Sequence, residues 1–282
     1  MRFYLMTDLE GVAGVCNWEK RDDVGPWNTL RRQRISRLLA GEVNAAIDGL
    51  TEAGFEDIIV NDGHGAGSTI DYEMADPRAV YMHGMERPFW LPFLDATCDA
   101  TGAVGAHSKA STEGGNLAHT MSGAIRCWSF NGIEVGETGL QALIAGYFNV
   151  PFVFAAGDEH LCREMEELVP GCVTVAVKQG TSLLSALTVA PERSRELIRE
   201  GAARAAEAIA EVGPLKLESP VVFRDERKEP TWDEEAPGEA TRVVNAHVRE
   251  IEGEDLMDVL MKMYPKYDRD YRPEQWRPGV RD

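Results

Sequence analysis

Met1-Arg2-Phe3-Tyr4-Leu5-Met6-Thr7-Asp8-Leu9-Glu10-Gly11 opens the chain, and its reading decides the fold. Phe3 to Met6 is apolar without polar alternation, the pattern of a strand buried on both faces. Asp8 and Glu10 then stand at its carboxyl end. Two carboxylates beside a core need a neutralising partner, and a divalent metal is the simplest one. Read with the polar clusters further along the chain, the opening points to a metal-dependent hydrolase rather than a binding module.

Working outward, apolar residues from Ile35 to Ala53 recur at helical spacing, so a helix is expected from about Thr29, ended by Gly54. Asp57-Ile58-Ile59-Val60 is a second strand running into Asn61-Asp62-Gly63-His64. Strand, helix, strand is a parallel crossover unit. Further strands are expected at Ala103–Ala106, ending at His107, at Ala124–Phe130, turning at Asn131-Gly132, at Phe152–Ala156 and at Val173–Val177. Helices are expected over Glu137–Tyr147 and Glu159–Leu168, and as one long element over Pro191–Val212, with proline in its first turn. Beyond Gly213-Pro214 the composition changes to an acidic, proline-punctuated stretch, an alternating strand over Thr241–Ile251 and a helix over Asp255–Tyr264. The fold class is α/β: a mostly parallel sheet flanked by helices, residues 1–213, with a smaller C-terminal α+β lobe, residues 214–282. The tail from Pro265, with Tyr267, Tyr271 and Trp276, is too irregular for a core element and is expected either to wrap a neighbouring surface or to be partly disordered.

The 282 residues carry 29 Lys and Arg against 47 Asp and Glu, a formal charge of −18. That balance argues against a nucleic-acid backbone or an anionic membrane as partner. Five cysteines without a CxxC pair fit a reducing cytoplasm better than a disulfide framework. The N-terminus shows no secretory pattern, and no apolar stretch reaches the roughly 18–20 residues of a membrane helix. A soluble cytoplasmic protein is expected.

In open α/β sheets, ligand sites gather beyond the carboxyl ends of the strands. Asp8 and Glu10, Asp62 and His64, and His107 fall at such ends, and Glu137 at a helix start. Carboxylates with imidazoles suit zinc, manganese, cobalt or iron. Asp8, Glu10, His64, His107 and Glu137 could supply two metals if one carboxylate bridges. Each has a plainer reading: Asp62-Gly63-His64 as a capped turn, His107 as a satisfied core histidine, Glu137 as a first-turn acid favoured by the helix dipole. The combination is more specific than its members. His119 follows on a glycine-bearing segment that can reach the same cleft, as general acid or oxyanion donor. Gly63-His64-Gly65-Ala66-Gly67 matches neither a dinucleotide nor a phosphate-binding fingerprint, Ser122 lacks a nucleophile elbow, and Cys127 reads as a buried strand residue.

These segments resemble the DppA-type D-aminopeptidase family of zinc metallopeptidases. The matching stretches are Asp8-Leu9-Glu10-Gly11, Val60-Asn61-Asp62-Gly63-His64, His107-Ser108-Lys109-Ala110-Ser111-Thr112, His119-Thr120-Met121 and Val135-Gly136-Glu137-Thr138-Gly139-Leu140. Ala145-Gly146-Tyr147, Ala156-Gly157-Asp158 and Ala176-Val177-Lys178 extend the likeness, which thins in the C-terminal lobe. The resemblance implies two Zn2+ per subunit: Asp8 bridging, Glu10 and His107 completing one site, His64 and Glu137 the other, and His119 catalytic. It implies release of an N-terminal residue, often of D configuration, from short peptides or amino-acid amides. It also implies a homo-oligomeric ring, decameric in the type member. The loop from His107 to His119, with Glu113-Gly114-Gly115-Asn116, is one residue longer than the family pattern, which bears on the reach of His119. Outside this reading stand a metal-containing peptide-binding or scaffold protein without turnover, and a metal-dependent phosphoesterase.

Overall fold

The computed structural model describes residues 1–65, 67–233 and 241–268. The first strand, β1 (Arg2–Thr7), is buried from Phe3 onward. It can afford no polar alternation because strands flank it and helices cover it. The crossover helix α1 (Pro26–Glu52) starts three residues earlier than expected, because Pro26 at its first turn needs no N–H partner there. Gly54 leaves it at φ +91°, where only glycine is unstrained. β2 (Asp57–Asp62) runs parallel to β1, and β3 (Ala79–Met82), absent from the sequence expectation, pairs with β2.

β4 (Ala100–Ala106) follows, then the hairpin of β5 (Ile125–Phe130) and β6 (Ile133–Glu134). Asn131 and Gly132 both have positive φ, 50° and 81°, as the tight turn between twisted strands demands. α2 (Glu137–Tyr147), β7 (Phe152–Asp158) and α3 (Glu159–Leu168) match the expected bounds closely, and β8 (Val173–Ser182) turns back into β9 (Ser185–Thr188).

Two expectations are corrected beyond that point. The single helix over Pro191–Val212 is two, α4 (Pro191–Ala202) and α5 (Ala205–Glu211), broken where Arg204 N–H turns back to Gly201 O at 3.0 Å. Gly201 is pressed so close to Val175 that a Cβ there would lie 2.3 Å from the valine methyl, and packing on the sheet fixes α4 at that point. After β10 (Val221–Arg227), the single strand over Thr241–Ile251 is a hairpin, β11 (Thr241–Asn245) and β12 (Val248–Gly253). The Asn245 side chain accepts from His247 N–H at 2.9 Å and makes the turn. α6 (Leu256–Met263) closes the described chain, apart from a short segment to Asp268. Tyr271 and Trp276 lie outside the described residues.

Among the described residues one sheet has seven strands in the order β3-β2-β1-β4-β7-β8-β9, parallel except for β9. The chain leaves β1 toward β2 and β3 and later returns to β4 on the other side of β1. That reversal opens a crevice at the carboxyl ends of β1 and β4. The other sheet is antiparallel, β11-β12-β10-β5-β6. It takes β5 and β6 from within residues 1–213, so it straddles the expected boundary at 213/214. This is why loop 107–124 passes from one sheet to the other across the crevice. Among the described residues no helix is long and apolar enough to cross a membrane.

Candidate metal centre

The loop after β1 lies flat on the end of β4. Asp8 N–H donates to Val104 O at 2.9 Å and Gly11 N–H to Gly105 O at 2.7 Å. A Cβ on Gly11 would stand 1.8 Å from Ala106 O, and one on Gly105, at φ +71°, would stand 2.1 Å from Asp8 O. Only glycine at both positions permits this approach, and the approach brings Asp8 to His107.

The Asp8 carboxylate faces two imidazoles: Oδ1 lies 3.0 Å from His64 Nδ1 and Oδ2 lies 3.1 Å from His107 Nε2. Glu10 Oε2 is 2.9 Å from His64 Nδ1, and Glu137 Oε1 is 3.4 Å from His107 Nε2. His119 stacks on His107, ring centroids 4.0 Å apart, with its Nε2 3.6 Å from Glu137 Oε1. All six predicted site residues thus meet in one cluster, Glu10–His64–Asp8–His107–Glu137–His119. Their ligand-competent atoms fall into two triads, Asp8/Glu10/His64 and His107/His119/Glu137. This grouping sets Glu10 with His64 and His107 with Glu137, whereas the resemblance pairs Glu10 with His107 and His64 with Glu137.

The cluster is largely buried and strongly polarised. Asp8, Glu10, His64 and His107 are buried. Burial works to lower His64, yet the carboxylates of Asp8, Glu10 and Glu19 around it outweigh burial and push the imidazole up to about 12. His107 is likewise raised against its burial, by Asp8 and Glu137. Burial works to raise Asp8 and Glu137, and the imidazoles hold both below the usual carboxylate range. The carboxylates thus favour positive charge between them, the place a cation would fill. Glu10 Oε2 and His107 Nε2 make no hydrogen bond despite neighbours at 2.9 and 3.1 Å. Buried polar atoms left unpaired beside their neighbours, in a set of carboxylate and imidazole donors, fit a divalent cation.

Each ring is oriented from behind. His107 Nδ1 lies 2.9 Å from Ser108 O and His119 Nδ1 lies 2.9 Å from Leu117 O, so both Nδ1 atoms carry the proton and leave Nε2 to the cluster. His64 is turned the other way, with Nε2 3.1 Å from Glu19 Oε2. Glu19 is held below the carboxylate range first by His64, with burial opposing, and then by Arg21 and Arg32. Glu137 also accepts from Met121 N–H at 2.7 Å, so it fastens the loop of His119 rather than only facing a helix dipole. Glu164 on α3 accepts from Lys109 and Gly136 N–H at 2.8 and 3.2 Å, tying the segment after His107 to the start of α2.

Asp62 does not join the cluster: its Oδ2 accepts from Thr69 and Ile70 N–H and caps the turn around His64. His83 pairs with Asp62, His160 reaches Gly180 O and His247 reaches Arg227 O, all away from the cluster. The sequence reading did not single out Trp18, Glu19 and Arg21, because the loop that carries them has no periodicity. Trp18 packs edge-on against His119 with centroids 5.1 Å apart. The cluster floors a cleft of about 870 Å3 whose walls include Trp18, Trp90 and Tyr264. The start of the tail docks beside it, with Tyr267 against Phe89 and Asp268 N–H on Pro88 O at 2.8 Å.

The family model described as Peptidase M55, D-aminopeptidase, matches residues 1–261. The D-aminopeptidase of Bacillus subtilis (strain 168) is 33% identical over 217 residues, 76% of this chain and 77% of that protein. A solved structure, described as the Zn-dependent D-aminopeptidase DppA from Bacillus subtilis, a self-compartmentalizing protease, superposes with a TM-score of 0.84 at 28% identity. It covers 94% of this chain and 96% of that one. With the family model spanning both sheets and the whole carboxylate–imidazole cluster, the chain belongs to the peptidase M55 family of D-aminopeptidases.

Proposed function

We propose that this chain is a dinuclear zinc aminopeptidase, or amidase, that releases an N-terminal residue of D configuration from short peptides or amides. The observation that carries the reading is the Asp8 carboxylate, which turns one oxygen to His64 and the other to His107. A carboxylate so shared would suit a place between two cations, with Glu10 and Glu137 at the outer ends of the cluster. In this reading Asp8, Glu10, His64, His107 and Glu137 hold the zinc ions. Bound there, the pair would lower the pKa of a water toward neutrality and polarise the scissile carbonyl.

The protein's own groups do the rest. His119 presents Nε2 to the cleft because Leu117 O holds Nδ1, so Nε2 is the atom that would take a proton from the attacking water and hand that same proton to the departing amine. Trp18 against its edge and His107 beneath its face keep the ring from turning. A cleft of about 870 Å3 has room for a short peptide and not for a folded chain. Assembly into a closed homo-oligomer, a decameric ring with clefts facing an internal space, belongs to the same proposal and rests on the likeness to the self-compartmentalizing relative.

The test is zinc per chain by elemental analysis, with release of aniline from D- and L-alanyl anilides and the mass of the assembly by light scattering. About two zinc ions per chain and faster release from the D isomer are expected. A folded sample that takes up no zinc, or a loaded one that cleaves neither isomer, would sink the proposal.

The raised imidazoles give a second expected result. Zinc must displace the protons held on His64 and His107, so lowering the pH adds competition and raising it relieves it. Apparent affinity should tighten by about tenfold per pH unit for each proton released. Competition against a chromophoric chelator, corrected for the chelator's own protonation, measures the slope from mildly acid to mildly alkaline pH. A flat profile would mean that the rings are already neutral before zinc arrives.

A further inference from the structure

Lys178 stands on β8, outside the cluster, and its side chain is buried. An ammonium group has three N–H bonds, and this one meets three acceptors. They are the backbone O of Glu10, the backbone O of Val15 at 2.6 Å and the side-chain Oδ1 of Asn116 at 2.7 Å. Glu10 and Val15 belong to the loop after β1. Asn116 belongs to the loop that leaves β4 and carries His119.

The second loop is seated on β8 and on the turn that follows it. The Asn116 amide donates to Leu183 O at 3.1 Å, and Leu117 N–H donates to the same oxygen at 2.8 Å. A Cβ on Gly180 would lie 2.3 Å from Gly114 O and 2.4 Å from Asn116 N, so loop and strand are in direct contact. The Glu113-Gly114-Gly115-Asn116 stretch that departs from the family pattern is therefore fastened by the same strand as the loop of Glu10. Leu117, one residue on, holds His119 Nδ1.

Burying an ammonium is costly unless every donor is satisfied, and an apolar side chain would fill the space more cheaply. An apolar side chain could not hold two carbonyls of one loop and an amide of another. We infer that Lys178 is a positioning residue that fixes Glu10 and His119 relative to each other by clamping both loops to β8. The inference rests on the dinuclear reading above.

Asn116→Ala and Lys178→Met test it on the full-length protein. Asn116→Ala removes the hold on the His119 loop and leaves Lys178 on Glu10 O and Val15 O, at the loss of one long contact from the Asn116 amide to Cys16 O at 3.5 Å, so zinc content should match the parent while kcat falls about 100-fold with KM little changed. Lys178→Met frees both loops: kcat should fall at least as far, and zinc should pass to a chelator faster than from the parent. The zinc-transfer rate is read without substrate, so it reports on Glu10 independently of turnover. Folded variants with kcat within about threefold of the parent and the parent's zinc-transfer rate would overturn the inference. If Lys178→Met does not fold, Asn116→Ala decides: a lower Tm with unchanged kcat marks the contact as fold-stabilising only and overturns the clamp. A parent that holds no zinc defeats the dinuclear reading itself, a failure visible in the parent alone, and the clamp falls with it.

Discussion

Asp8→Asn should leave a folded protein that holds less than about one zinc ion per chain and turns over at least about 1,000-fold more slowly. Asparagine keeps the shape of the side chain and its place against Val104, but it replaces one anionic oxygen by an amide nitrogen. Holding two zinc ions would draw on both oxygens, because Oδ1 faces His64 and Oδ2 faces His107. The change also removes the charge that compensates two imidazoles in a buried setting, and an uncompensated buried charge is among the costliest defects a site can carry. Elemental analysis beside circular dichroism separates loss of metal from loss of fold.

The ends of the cluster supply the internal control. Glu10 meets only His64 among the imidazoles, and Glu137 meets His107 and His119. Alanine at either end should cost one zinc and leave the other, whereas the change at Asp8 should cost both. Equal zinc content in all three variants would remove the special place of Asp8. An Asp8→Asn protein with full metal would have the same consequence for the bridge.

The parts of the fold that were legible in the sequence are those set by local pattern. β1, β2 and β4 announce themselves by unbroken apolar runs, since strands enclosed on both faces have no solvent-facing row. Site residues at their ends were legible for the same reason: a polar residue next to such a run has to be there for something. Glu137–Tyr147 and Glu159–Leu168 matched because each helix is short and starts at a clear polar signal, Asp158 capping the second through His160 N–H.

What stayed hidden was set by distant partners. Nothing in Ile125–Phe130 says that it will pair with Val221–Arg227 to build the second sheet. The hairpin at Asn245 depends on one side-chain hydrogen bond, and alternation on either side of it reads as one strand. Glu19 looks like any acid in a polar loop until Arg21, Arg32 and His64 converge on it. Lys178 looks like one strand lysine among others, and its meaning lies in carbonyls more than 160 residues away in the chain. The stacking of His119 on His107 depends on positive-φ residues at Leu117 and Met121, which local propensity would not choose.

His119→Ala should behave oppositely to Asp8→Asn: full zinc, an intact fold and kcat lower by about 1,000-fold, the scale of a general acid–base group. The ring is the outermost of the three in the cluster and more exposed than His64 or His107, on the cleft side. Removing it takes a stacking partner from His107, but Ser108 O still holds the His107 ring through Nδ1. Metal binding should therefore survive, and KM should move little, because the loss is confined to the step in which a proton is passed. Full activity in the variant would end the catalytic assignment, and lost zinc would make His119 a ligand, in keeping with its place in the second triad. His119→Gln then separates two ways of acting. An amide can donate a hydrogen bond to a developing oxyanion but cannot hand a proton to a departing amine. Recovery to within about tenfold of the parent with glutamine would assign His119 to charge stabilisation. A glutamine variant as slow as alanine would assign it to proton transfer at Nε2, the atom that the Leu117 carbonyl leaves free.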